Sequence, residues 1–238
     1  MASRDSDSQK TAARDEQLIC LLRHAERLDD VDMSWLSHKQ MRKYDPPLSP
    51  SGREVASSIC EHLRLDTLGV KHVVSSPFLR TLQTAAPIAK CLSHSQLIVC
   101  NGVCECLSEE VGFKTQPIFD QQQQTEACTG LSINYMSDPC PVFPETVLEV
   151  QDRYRAAIQM VADKYWPDTV LIITHAIAVR TAFRFYSAPP LNGLIPYCGG
   201  IVVKRGTSEG KLKFLRTLND IPLSDAMPFI ENKIKHSL

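Results

Sequence analysis

Three apolar runs of strand length, each emptying into polar or charged residues, constrain this chain more than anything else in its sequence. Leu18-Ile19-Cys20-Leu21-Leu22 ends at Arg23, His72-Val73-Val74 runs into Ser75-Ser76-Pro77, and Thr169-Val170-Leu171-Ile172-Ile173 runs into Thr174-His175. A continuous apolar run without period-two alternation suits a strand buried on both faces. Helical patterns alternate with these runs. Ser49-Pro50 reads as an N-cap with proline at the first helical position, opening a helix to about Leu65. Ser76-Pro77 repeats that start, with Phe78, Leu82, Ala85 and Ala89 on one face. Val147 to Tyr165 and Ile177 to Tyr186 give two more helices. Strands alternating with helices predict an α/β fold with a mainly parallel sheet covered on both faces, and ligands outside the carboxyl ends of the strands. Arg23, His24, Ser76 and His175 fall there.

A further pair, Gly200-Ile201-Val202-Val203-Lys204 and Lys211-Leu212-Lys213-Phe214-Leu215, reads as a terminal hairpin that extends one side of the sheet. The 238 residues, 43% hydrophobic, suffice for one main domain, placed at 17–238. Residues 1–16 carry almost no large apolar side chain and read as a flexible tail. Two stretches break the alternation: an insert at about 28–47, with Trp35 and Tyr44, and an irregular cap at about 106–144. The cap contains the tract Gln121-Gln122-Gln123-Gln124, read as a solvated loop.

Charge and cysteine usage narrow the class. The 26 basic and 27 acidic residues nearly cancel, so neither a nucleic acid nor an anionic membrane is expected as a partner. There is no apolar run near 18 residues, and Met1 to Gln17 lacks the apolar stretch of a signal peptide, so a soluble, cytoplasmic protein is expected. Nine cysteines, with Cys20, Cys60, Cys91 and Cys100 in apolar surroundings, read as reduced core thiols rather than a disulfide framework. Cys100, Cys104 and Cys106 match no common zinc spacing, so no metal and no other cofactor are expected.

The strand-end residues are the kinds that handle a phosphoryl group. A phosphate monoester repels nucleophiles through its own charge, so a catalyst needs clustered cationic donors, a nucleophile and an acid for the leaving oxygen. Arg23 and His24 follow the first strand, Arg27 lies about one turn on, Arg80 falls in the first turn of a helix, and His175 follows the third strand. Guanidinium forks suit phosphoryl oxygens, and nearby cations lower the pKa of a histidine and leave it a lone pair. Taken singly, Arg27 and Glu26 could be a solvated pair, His175 a hydrogen-bonded core histidine and Arg80 a helix-surface charge. Their convergence on one sheet edge favours a site. His38, His62, His72, His94 and His236 read as surface or boundary residues, and Trp35 and Tyr44 as packing.

Leu22-Arg23-His24-Ala25-Glu26-Arg27 resembles the Arg-His-Gly-Glu signature of the histidine phosphatase (phosphoglycerate mutase-like) superfamily. Ser75-Ser76-Pro77-Phe78-Leu79-Arg80-Thr81-Leu82-Gln83-Thr84-Ala85 looks like its second block and Thr174-His175-Ala176 like its third. Within it, Arg-His-Ala-Glu-Arg-Leu-Asp at 23–29, the insert before Asp45-Pro46-Pro47-Leu48-Ser49, and Pro196-Tyr197-Cys198-Gly199 resemble one branch. That branch contains the phosphatase domains of T-cell ubiquitin ligand proteins and the ecdysteroid-phosphate phosphatases. Ala25 departs from the usual glycine.

The resemblance implies a three-layer α/β/α sandwich and a metal-independent phosphomonoesterase working through a phosphohistidine on His24. Arg23, Arg80 and His175 match the phosphate pocket, Arg27 would be a further phosphate ligand, and Glu105 fits the acid best, with Glu109 and Glu110 as competitors. A phosphoglycerate mutase or sugar bisphosphatase, and a weakly active phosphate-binding scaffold, are the alternatives. Arg27-Leu28-Asp29-Asp30, where a mutase would carry Ser and Trp-Asn, disfavours the first. The substrate, a phosphorylated small molecule or a phosphoprotein, and the oligomeric state, monomer or homodimer, are left open.

Overall fold

A computed structural model describes residues 16–37, 44–138, 140–206, 210–221 and 223, so residues 1–15 of the expected tail lie outside the described residues, as do His38 and His236. Within them, strands β1 (Glu16–Arg23), β2 (Val70–Ser75), β3 (Gln96–Val99), β4 (Ser132–Tyr135), β5 (Thr169–Thr174), β6 (Gly200–Gly206) and β7 (Lys213–Leu218) form one seven-stranded sheet in the order β4-β3-β2-β5-β1-β6-β7. The pairs from β4 through β1 are parallel, and β6 and β7 close that side antiparallel, as the hairpin reading required. β7 starts two residues later than its apolar pattern suggested.

The apolar runs become strands because both of their faces are covered. Cys20 and Leu22 of β1 and Leu171 and Ile173 of β5 face helices α1 (Pro50–His62) and α2 (Leu79–Cys91). Ile19 and Leu21, with Val170 and Ile172, face α4 (Val147–Lys164) and α5 (Ala176–Phe185). Each such fully buried side chain contributes roughly 1.5–3 kcal/mol relative to exposure, and truncating one of them to alanine costs about 2–5 kcal/mol. The result is the three-layer α/β/α sandwich. No helix among the described residues is long and apolar enough to cross a membrane.

Local chemistry sets the helix starts. Ser49 caps α1 by accepting from the Gly52 N–H at 2.8 Å, with Pro50 at the first helical position. Thr146 and Glu149 make a reciprocal capping box at the start of α4. The Ser76-Pro77 start needs correction. Ser76 is still tied to the sheet edge, its N–H donating to Ile173 O, so α2 opens at Leu79, whose N–H is accepted by Asp45 Oδ1 at 2.7 Å.

Three further expectations are corrected. The stretch read as an irregular cap holds a helix, α3 (Gln121–Ala127), and the edge strand β4. The glutamine tract is the body of α3, capped by Asp120, and the buried Gln124 donates to Pro77 O at 2.7 Å. Cys60 and Cys91, read as reduced core thiols, are paired as a disulfide with their Cα atoms 6.5 Å apart, because α1 and α2 pack side by side.

Candidate active site

β1, β5 and β2 are adjacent and parallel, with Arg23 in register with Thr174 and Ser75 with Ile173. The next residue of each strand, His24, His175 and Ser76, therefore leaves the sheet along one edge. Hydrogen bonds continue the ladder there: the His24 N–H donates to Thr174 O at 3.0 Å, and His24 O accepts from the Cys198 N–H at 3.3 Å.

The His24 side chain is buried, with Nδ1 2.7 Å from Ala25 O. A carbonyl only accepts, so Nδ1 carries the proton and Nε2 keeps its lone pair. Arg80 Nε lies 3.3 Å from Nε2 and donates to it. Burial first, then the charges of Arg80, His175 and Arg23, hold the His24 pKa well below its ordinary value, against the opposing effect of the Ala25 hydrogen bond.

Arg80 joins the groups together. Its Nη2 donates to Glu105 Oε2 at 3.2 Å and lies 3.3 Å from His175 Nδ1, while Cζ sits 4.4 Å from the centre of the Phe78 ring. His175 Nδ1 is also 3.2 Å from Glu105 Oε2, and its Nε2 is 2.8 Å from Ser76 Oγ. An ionised carboxylate only accepts, so Nδ1–H donates to Glu105 and Nε2 accepts from the Ser76 hydroxyl. Burial, with Arg80 and Arg27 adding to it against Glu105, lowers the His175 pKa to about 4. Burial alone would raise Glu105, but His175, Arg80 and His24 outweigh it and hold the carboxyl well below the usual range. The pair is a carboxylate beside a neutral imidazole, with Arg80 as the fixed cation.

The outer side of the site is less tightly closed. Arg23 donates to Ile195 O and stacks on Tyr197, Cζ to ring centre 4.0 Å; the Tyr197 hydroxyl donates to Asp30. Arg27 donates through Nε to Asp29 Oδ1 at 2.6 Å and through Nη2 to the second oxygen, so in this structure it pairs with Asp29 and acts on Arg80 and His175 through its charge. Of the candidate acids, Glu105 is buried against Arg80 and His175, whereas Glu109 and Glu110 are exposed on the turn Glu109–Val111. Tyr44 packs against Phe113 at 4.9 Å between ring centres and its hydroxyl accepts from the Lys114 N–H.

Residues to which the sequence assigned no role in the site complete the frame. The Ala25 N–H donates to Thr84 Oγ1 at 3.1 Å, and that hydroxyl donates to Arg80 O at 2.8 Å, fixing the His24 segment to α2. Ser49 donates to Glu26 Oε2 at 3.0 Å, and a Cβ on Gly52 would collide with Glu26 O, so glycine lets α1 start hard against that segment. Among the described residues no group of three or more metal-ligating side chains stands together; Cys100, Cys104 and Cys106 instead contact Asp138, Glu105 O and Ser108.

A profile of the histidine phosphatase superfamily (branch 1) matches residues 19–215. Phosphoglycerate mutase-like protein 4 of Arabidopsis thaliana is 23% identical over 169 residues, covering 70% of this chain and 69% of that protein. Ubiquitin-associated and SH3 domain-containing protein A of Homo sapiens is 29% identical over 231 residues, covering 80% of this chain but 33% of that protein. The ecdysone phosphate phosphatase of Bombix mori, solved with tungstate, shares the fold with a TM-score of 0.65 and 19% identity, covering 92% of this chain and 98% of that one.

Proposed function

The chain belongs to the histidine phosphatase superfamily, and from that premise we propose that it is a metal-independent phosphomonoesterase that forms a phosphohistidine on His24. One observation carries the proposal: the buried His24 directs an unprotonated Nε2, which accepts from Arg80 Nε, to the place where the charges of Arg80, Arg23 and His175 act, while its Nδ1–H is held by Ala25 O. That tautomer is the one a nucleophilic imidazole needs, and the backbone carbonyl steadies the positive charge that forms on attack.

In the first step the Nε2 lone pair attacks phosphorus as the bond to the leaving oxygen breaks. Arg23 and Arg80 hold the non-bridging oxygens, His175 turns its Nδ1–H from Glu105 to one of them as Glu105 is protonated, and Arg27 adds charge. The substrate dianion, set against Arg80, offsets the cation that keeps Glu105 ionised and raises its pKa. Glu105 then takes up a proton from solvent as the ester binds and gives it to the leaving oxygen. In the second step the Glu105 carboxylate removes a proton from water, the water oxygen attacks phosphorus, and the P–N bond breaks. Inorganic phosphate and neutral His24 are regenerated. The substrate class is a phosphorylated small molecule or a phosphoprotein; relatives of this family include an ecdysone phosphate phosphatase.

The test is hydrolysis of an aryl phosphate in excess chelator, with acid-labile phosphoprotein trapped by rapid quench. His24→Ala is expected to lose activity on the order of 10⁵-fold and all trapped phosphate. Undiminished turnover in His24→Ala, or abolition by the chelator, would overturn the proposal.

A further inference from the structure

Glu105 stands on a segment that no secondary structure holds. After β3 and the turn Asn101–Val103, the chain from Cys104 to Ser108 is irregular, and its backbone carbonyls are buried and need donors. One side chain from α4 serves the carbonyls of Cys104 and Glu105 themselves, and that of Gly102 just before them. Arg153 Nη1 donates to Gly102 O at 2.9 Å and to Cys104 O at 3.1 Å, and Nη2 donates to Glu105 O at 3.1 Å. Its other two N–H groups go to Glu145, Nε to Oε1 at 2.6 Å and Nη2 to Oε2 at 2.8 Å.

A guanidinium has five N–H donors, and Arg153 uses all five. Glu145 completes the frame: its Oε2 accepts from the Leu107 N–H at 2.9 Å, and its own N–H donates to Leu107 O at 2.7 Å. Residues on both sides of Glu105 are thus bound to one ion pair. The pair is largely buried, with side-chain exposures of 13% and 6%. None of its contacts is with His24, Arg80 or His175.

We propose that Arg153 and Glu145 are positioning residues for Glu105, holding its backbone so that the carboxyl stays within reach of the leaving oxygen in both of its charge states. The inference rests on the reading of Glu105 as proton donor. A saturated guanidinium has no donor left for phosphate, so its contribution must pass through the segment it grips. Lysine cannot replace it, since three donors on a flexible stem cannot reach five acceptors in a plane.

The test uses two esters that differ in their need for an acid. Phenyl phosphate leaves poorly without a proton, whereas 2,4-dinitrophenyl phosphate leaves unprotonated. For Arg153→Lys the expected loss in kcat is on the order of 100-fold on phenyl phosphate, with KM changed less than about 3-fold, and under about 5-fold on the dinitrophenyl ester. Glu145→Gln, which keeps the size and one acceptor, is expected to shift the ratio in the same direction by less. The ratio is internal to each sample, so a loss of folded protein lowers both rates alike and leaves it unchanged. Adding Arg153→Lys to Glu105→Gln is expected to cost nothing more on phenyl phosphate. Equal losses on the two esters, or an additive loss in the double variant, would overturn the positioning role. Absent hydrolysis by the unmutated chain, or full activity in His24→Ala, would instead overturn the functional reading beneath it.

Discussion

The site has two unlike walls. On one, His24, His175 and Ser76 stand one residue beyond three paired strands, and the backbone ladder that makes the sheet also fixes them. On the other, Glu105 stands on irregular chain held by side chains that reach in from α4, some fifty residues later in sequence. Under the proposed function, the difference follows from what each wall must do. Binding an anion needs donors in fixed places, which neighbouring strand ends provide. A proton donor must lie across the phosphoryl group from the nucleophile, beyond the strand ends themselves: β3, next to β2, stops at Val99, before the irregular chain that carries Glu105. Its position has to be built by other means, and the fold builds it from an ion pair and a row of captured carbonyls.

Arg80 is where the walls meet, since its Nε serves His24 and its Nη2 serves Glu105. Arg80→Lys keeps the charge and loses the fork, so the phosphate loses a preorganised donor at every stage. The expected fall in kcat/KM is on the order of 10²–10³-fold. Unlike the Arg153 effect, it should be nearly the same for phenyl and dinitrophenyl phosphate, because it acts on the phosphoryl oxygens. A loss confined to the poor leaving group would mean that Arg80 serves only Glu105.

The same contrast explains what could be read in the sequence. The strand-end wall was legible, because apolar runs announce buried strands and the residues after each run are fixed by counting; Arg23, His24 and His175 stand where that counting put them, and Arg80 lies in the first turn of a helix, as its pattern suggested. Glu105 was reached by resemblance, and the structure sets it apart from Glu109 and Glu110 by burial. Arg153 and Glu145 left no trace, since their partners are mostly backbone groups, which look alike at every position. Tyr197 over Arg23 was hidden by a separation of 174 positions. β4 escaped because an edge strand with three of four residues exposed shows no apolar alternation. α3 escaped because six polar residues and one alanine make no apolar face, although glutamine is a fair helix former.

Titration separates the walls next. His24 and His175 are held neutral, with His175 at about 4, so the unfolded chain binds protons below pH ~6.5 that the folded chain does not. Stability therefore falls as pH drops from about 6.5 toward 4, by about 1.4 kcal/mol per pH unit for each fully unmatched proton. Glu105 is lowered as well and acts with the same sign, but in a lower window: its contribution is present above the unfolded carboxyl value near ~4.3 and is lost as pH falls from there through its lower folded value. Thermal unfolding between pH 6 and 4.5 should thus show a shallower slope for His175→Asn and an unchanged one for Glu105→Gln. A His175→Asn slope equal to the parent's would mean that His175 titrates normally in the folded state.

The smallest effect bears on how specific the grip on the irregular wall is. Tyr154, fully buried beside Arg153, donates its hydroxyl to Cys104 O at 2.8 Å. The same oxygen accepts from Arg153 Nη1, so Tyr154→Phe removes a donor without leaving the carbonyl unsatisfied. The expected cost is about 1 kcal/mol of stability, read by denaturant unfolding. The phenyl to dinitrophenyl rate ratio should stay within about 2-fold of the parent, because the carbonyls around Glu105 keep the guanidinium that spans them. A ratio that moved as far as in Arg153→Lys would show that the acid's position depends on the whole packing of α4 against the segment. The five-bonded arginine would then be one contact among several.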